Sequence, residues 1–335
     1  GQVHVNFGEP IKLVDYLDSH REGWRNEELS VHETPDWFKT TINNLGRDVV
    51  TGINAAAVAN PVNLISLALL ATPKHTMDLQ QLRQQLQLYI NLLDQAPYSD
   101  TARLAENDPD VIIEYGLEHE FLIRVAHPLG DVVTTDPKTA LQMAYVRNNS
   151  LHLFVLPGLI CSLFLNARSI RMDMLQSMIA LLYPFFRNEY LLHWREDKEL
   201  PAAVERIASV LEEHGLVSRE DDCLHGAAIH TYASDMLAHL GQTVMPSLER
   251  FYLTIRLLVQ YGSGKLDADA LSDLAHHTAQ RLSLLYEFNS PEFFDKVVLR
   301  NFINQLRDTD LVWQDDNMAL CFGDNLRALD DEARR

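Results

Sequence analysis

The sequence predicts a mainly α protein that carries short winged-helix-like β-hairpins and opens on a single strand. Three observations lead there. Apolar residues recur at helical spacing along most of the chain, as at Leu79, Leu82, Leu86, Tyr89, Ile90 and Leu93. Twice, a helical stretch runs directly into two short strands around an acidic turn: "LPAAVERIASVLEEHGLVSREDDCLHG" and "PEFFDKVVLRNFINQLRDTDLVWQDDNMALCFG". The first residues instead alternate, with Val3, Val5 and Phe7 set against His4 and Asn6, which is the period of a strand with one apolar face.

The elements follow in order. After the strand, Gly8 permits a sharp turn, and Pro10 suits the first turn of a helix through Leu13, Tyr16 and Leu17. "TPDWFKTTINNLGRDVVTGINAA" starts a second helix, with Asp36 as its cap signal. "DPDVIIEYGLEHEFLIRVAH" reads as one helix and "PLGDVVTTDP" as a turn with a short strand. "KTALQMAYVRNNSLHLFVLPGLI" reads as one helix, and "MDMLQSMIALLYPFFRNEYLLHW" as a long one kinked at Pro184. Leu237, Leu240, Val244, Leu248, Phe251, Ile255 and Leu258 make one apolar stripe on a single predicted helix. The soft stretches are "HREGWRNEELSVHETPD" and "APYSDTARLAENDPD", and the tail "DDEARR" is expected to fray.

Composition narrows the function. A net charge of −19 over 335 residues argues against nucleic-acid partners, which require cationic neutralisation of phosphates. It also disfavours broad adhesion to anionic lipid. Cys161, Cys223 and Cys321 are far apart and form no CxxC, so the expectation is three buried, unreactive thiols in a reducing compartment. "INAAAVANPVNLISLALLA" is interrupted by Asn54, Asn60, Pro61 and Asn63. "LHLFVLPGLICSLFL" falls short of the roughly 20 residues a spanning helix needs, so both read as buried helices.

Two clusters carry possible chemistry. His230 and Asp235 form an HxxxxD, a spacing in which a carboxylate holds an imidazole in the tautomer of a general base. Their context is wrong for that role, since no basic, Gly-rich phosphate-binding stretch follows; they read as surface residues near a helix start. Arg147, Asn148, Asn149 and His152 form a polar group against a very apolar helix. Buried polar groups must find partners, so one reading is a hydrogen-bond network at a domain interface. The other is a substrate-facing or supporting role, for which the Arg fork suits carboxylate or phosphate. No metal-ligand pattern stands out; His276 and His277 point to different helix faces.

Six blocks in order, "GQVHVNFGEPIKLVDYL", "INAAAVANPVNLISLALL", "YVRNNSLHLFVLPGLI", "LLYPFFRNEYLLHW", "ELPAAVERIASVLEEHGLV" and "QRLSLLYEFNSPEFFDKVV", together resemble the C-terminal region of the membrane-associated glycerol-3-phosphate 1-O-acyltransferases of proteobacteria. The resemblance implies that residues 1–30 are the last edge of an α/β acyltransferase domain. Residues 31–335 would be a helical C-terminal domain with a sub-boundary near 197–200. The catalytic HxxxxD would lie upstream, so none of its roles carries over to His230 or Asp235, and this chain alone would be inactive. The parent would move an acyl chain from acyl-CoA or acyl carrier protein to sn-glycerol 3-phosphate, without cofactor or metal, at the cytoplasmic face of the inner membrane. Partners implied are the N-terminal catalytic domain, the parent's substrates and inner-membrane lipids. The alternatives are an autonomous protein-interaction module and a part of a dihydroxyacetone-phosphate acyltransferase.

Overall fold

The computed structural model describes residues 4–26, 35–286 and 291–333. Val3 and the central part of the first soft stretch lie outside them. Fourteen α-helices and ten short strands are formed among the described residues. Residues 4–10 are not a strand, contrary to the alternation of Val5 and Phe7. A strand exists only through its ladder, and no described strand pairs with this segment.

The helices α1 (Leu13–His20) and α2 (Asp36–Ala55) follow. Pro35, not Asp36, holds the cap position of α2, and Asp36 sits in its first turn, where a carboxylate favours the helix dipole. The two-residue strand β1 (Val58–Ala59) then leads into α3 (Pro61–Leu70).

From α3 onward one pattern occurs three times. In the first unit α3 is followed by β2 (Thr76–Asp78), α4 (Leu79–Gln95) and β3 (Arg103–Leu104), which pairs in parallel with β1. Then come α5 (Pro109–Glu118), β4 (Ile123–Val125), β5 (Val132–Thr134) and α6 (Pro137–Asn148). The unit's sheet has the antiparallel order β2-β5-β4. The second unit is α7 (Val155–Ser162), β6 (Ser169–Arg171), α8 (Met172–Tyr190), α9 (Glu199–Glu213), β7 (Val217–Glu220), β8 (Cys223–Gly226) and α10 (Tyr232–Gln242), with order β6-β8-β7. The third is α11 (Met245–Tyr261), α12 (Ala268–Tyr286), α13 (Lys296–Asp308), β9 (Val312–Gln314), β10 (Leu320–Phe322) and α14 (Asp324–Ala333). Its first strand has shrunk to one bridge, Asp267 to Ala319.

Each unit is thus a winged helix in which the leading strand closes onto the last. Its leading and trailing helices pack together: α3 on α6, α7 on α10, α11 on α14. Neighbouring units stack by one rule, α4 against α9 and α8 against α13. One apolar core runs through all three, from Ala59 to Leu326. Residues 197–200 cover the end of the α8–α9 connection and the first two residues of α9, inside the second unit.

Several sequence expectations need correction. The first unit was not visible as a unit, because "DPDVIIEYGLEHEFLIRVAH" is a helix and a strand. Glu120 takes a positive φ of 58° after α5, and Phe121 and Leu122 both donate to the Gly116 carbonyl, which closes the helix. "KTALQMAYVRNNSLHLFVLPGLI" is α6, a 3-10 turn at Leu151–Leu153 and α7. The stripe from Leu237 to Leu258 crosses two helices, since Pro246 opens α11 and cannot continue α10. Helix α8 holds Pro184 within its span but ends at Tyr190, where Leu191 takes a left-handed conformation, so Leu192–Trp194 are not part of it. Within the tail, helix continues to Ala333, with Asp330 buried and paired to Arg256 at 3.1 Å; Arg334 and Arg335 lie outside the described residues. Only Cys161 is buried; Cys223 and Cys321 are half-buried. No helix among the described residues is long and apolar enough to cross a membrane.

Candidate functional site

A cleft of about 890 Å³ lies where residues 4–11, the end of α2, the start of α3 and the α6–α7 junction meet. Its walls carry the amides of Asn6, Asn54, Asn60, Asn63 and Asn149, together with His152.

Local sequence explains most of this. Asn60 and Asn63 cap α3 reciprocally at 3.0 Å each, with Pro61 at the first helical position. The cap leaves the Asn63 side-chain NH2 free, and it donates to the Val146 carbonyl at 2.8 Å, fastening α3 to the last turn of α6. Arg147 is in that same turn, a favourable place for a cation. Its guanidinium donates to Asn148 Oδ1 at 3.2 and 3.0 Å. Asn149 is the C-cap of α6 and is exposed into the cleft.

His152 is the buried member of the group. The short 3-10 turn turns it inward, and its Nε2–H donates to the Asn54 carbonyl at 3.0 Å. Burial pushes its pKa down to about 4, so the ring is neutral near pH 7. It packs edge-to-face against Tyr98 at 5.2 Å, and Tyr98 also meets His193 and Trp194 in T-shaped contacts. His193 donates to the Tyr98 carbonyl and is likewise held low by burial.

The carbonyls at the end of α2 are therefore served from outside the helix. The Asn54 carbonyl takes His152, and that of Ala55 takes Ser99 Oγ and Thr101 Oγ1. Ala56 takes Asn6 Nδ2 at 3.0 Å, which also reaches the Thr101 carbonyl at 2.8 Å. A helix C-terminus leaves such acceptors open, and side-chain donors here close them. Asn54 in turn donates to Tyr190 at 2.9 Å, and Arg47 donates to Asn188 Oδ1 at 2.5 Å. Deeper in, Arg250, only 1% exposed, meets Glu189 at 2.5 Å, and Ser247 and Tyr190 complete that network.

The structure thus brings Asn149 and His152 to one cleft, with Arg147 and Asn148 at the same junction. It does not bring His230 or Asp235 there. His230 is exposed at a positive φ of 65°, and Asp235 is exposed in the first turn of α10. No hydrogen bond joins them; Thr231 caps that helix with Ser234. Sequence reading passed over Asn6, Asn54, Tyr98, His193 and the Glu189–Arg250 pair. Only the Asn60-Pro61-x-Asn63 capping box was readable locally; the others need contacts across 50 to 136 residues. Chemically, the bonded side chains of the cleft, Asn6, Asn63 and His152, are neutral donors aimed at backbone, while His4 and Glu9 line its mouth among the described residues.

Comparison with known proteins identifies the chain's relatives. The family described as "Glycerol-3-phosphate acyltransferase C-terminal region" matches residues 1–315. The glycerol-3-phosphate acyltransferase of Xanthomonas campestris pv. campestris is 40% identical over 337 residues, covering 100% of this chain and 38% of the relative. That of Pseudomonas fluorescens Pf0-1 is 37% identical over 335 residues, covering 100% of this chain and 40% of the relative. The chain therefore spans only 38–40% of the length of these curated relatives. A match that runs the whole chain at this identity means that the chain belongs to the glycerol-3-phosphate acyltransferase family, in that family's C-terminal region.

Proposed function

We propose that this chain is the non-catalytic C-terminal part of an enzyme that acylates sn-glycerol 3-phosphate. The thioester of acyl-CoA or acyl carrier protein is the donor, 1-acylglycerol 3-phosphate is the product, and the reaction opens phospholipid synthesis. The observation that carries the reading is the family match across residues 1–315. Residues 1–30 are the edge of the acyltransferase domain, and residues 31–335 the domain that buttresses it. Arg147, Asn148, Asn149 and His152 serve that interface rather than the chemistry. The parent works at the cytoplasmic face of the inner membrane, in contact with its lipids.

The test is acyl-CoA-dependent acylation of glycerol 3-phosphate by this chain alone and by the chain co-expressed with the N-terminal remainder. Activity only in the combined sample is expected. Activity of the chain alone, abolished by His230→Ala, would overturn the non-catalytic assignment. Substitution of dihydroxyacetone phosphate as acceptor separates the sibling activity. A second reading, an autonomous interaction module, draws support from the three winged units; it predicts a defined protein partner and no dependence of the chain on the N-terminal part.

A further inference from the structure

Helix α2 is amphipathic over 20 residues, yet its only buried residue is Thr41. Phe38, Ile42, Val49 and Ile53 recur at helical spacing on its outward side and are exposed, Ile53 to 63%. Beside them Val5 and Phe7 stand 74% and 85% exposed, and Ile11, Leu13 and Val14 extend the same apolar surface. Gly8 lies on the end of α2, where an added Cβ would come within 3.0 Å of the Gly52 carbonyl, so segment and helix form one surface. Backbone groups of residues 4–11 make no hydrogen bond to other described backbone. Contiguous apolar surface of this kind, edged by unpaired backbone, marks an interaction site.

We infer that residues 4–14 and the outward face of α2 are the seat of the N-terminal part that the longer relatives carry. The inference rests on the acyltransferase reading and adds to it the surface through which the two parts meet. Two facts select this occupant. The relatives are much longer than this chain, and the matching family describes a C-terminal region, so their extra length lies on the N-terminal side, next to this surface. The polar side of α2 is charge-balanced, Asp36 and Asp48 against Lys39 and Arg47. A helix that lies on anionic lipid carries a Lys- and Arg-rich polar face instead.

The experiment uses the full-length protein with a benzoylphenylalanine photocrosslinker at Val49 and, as control, at Leu284, which is 87% exposed on α12. Irradiation is followed by peptide mapping, and acyl transfer is assayed in parallel on the same samples. The Val49 probe is expected to join peptides of the N-terminal part of the same molecule, and the Leu284 probe is not. Ile42→Asp with Ile53→Asp should lower the Val49 adduct about tenfold, the loss expected when a buried apolar anchor becomes a charge. An adduct to lipid, an adduct to a second copy, no adduct, or the same adducts from Leu284 would each overturn the proposal. Crosslinking without acyl transfer would instead sink the functional reading and leave the docking surface standing.

Discussion

Helix α2 and helix α4 are similar in length and both amphipathic, yet α2 buries one side chain and α4 buries seven. The difference separates two regions. Residues 4–26 and 35–54 supply no member of the buried apolar cluster, and Ala55 only packs against its edge, whereas the three winged units share one core from Ala59 to Leu326. Helix α4 is held by dispersion and burial on both sides, from α3 and α5 in its own unit and α9 in the next. Helix α2 is held at its end by hydrogen bonds: Asn6, Ser99, Thr101 and His152 on its last carbonyls, and Arg47 on Asn188. An amphipathic pattern therefore guarantees a face that wants covering, and the cover need not lie in the same stretch of chain.

The comparison can be broken or sharpened by substitution. The largest contrast is between two phenylalanines. Phe154 is fully buried and packs 5.0 Å from Tyr89. Phe154→Ala should cost about 3–5 kcal/mol in denaturant unfolding. Phe38→Ala on α2 should stay within about 0.5 kcal/mol in this chain. Equal losses would mean that α2 belongs to the core after all.

Next comes pH. His152 titrates near its ordinary 6.5 when unfolded and at about 4 when folded. As pH falls through that window the unfolded chain takes up a proton that the folded chain refuses. Stability is thus complete above pH 6.5 and declines toward pH 4, by up to about 3 kcal/mol for this group. His193, also lowered by burial, acts in the same direction. A His152→Gln variant should unfold with a shallower pH dependence over this window; an unchanged slope would refute the buried neutral ring.

Glycine substitutions give the smaller pair. A Cβ at Gly158 on α7 would meet Thr243 Oγ1 at 2.6 Å and the Leu240 carbonyl at 3.0 Å, so Gly158→Ala should cost about 1–3 kcal/mol. At Gly46, inside α2, a Cβ meets nothing within 4 Å. Gly46→Ala should therefore raise stability by about 0.5–1 kcal/mol through helix propensity alone. Thermal melts of the two variants should shift in opposite directions.

Legibility in the sequence followed the range of the interaction. The helix-hairpin order of the second and third units was readable, because α9 and α13 carry strong 3.6-residue periodicity and their hairpins turn on short acidic loops. The first unit was hidden by β4, whose Ile123 and Val125 continue the apolar run of α5 without a Gly or Pro to mark the change. In the cleft, Arg147, Asn148, Asn149 and His152 stood out as polar residues beside an apolar run. Their partners did not, because Asn54 is 98 residues from His152.

By itself the sequence determined the helical class, the acidic surface, the helix-hairpin repeat and the family, since each depends on local period, on summed charge or on ordered blocks. Tertiary structure alone decided three things. It made residues 4–10 irregular, because a strand requires a partner. It made three winged units out of two visible ones, because the leading strand pairs with the last only across a whole unit. And it drew His152 beneath the end of α2, because a buried donor must find an acceptor and only the folded chain brings the Asn54 carbonyl, 98 residues away, within reach.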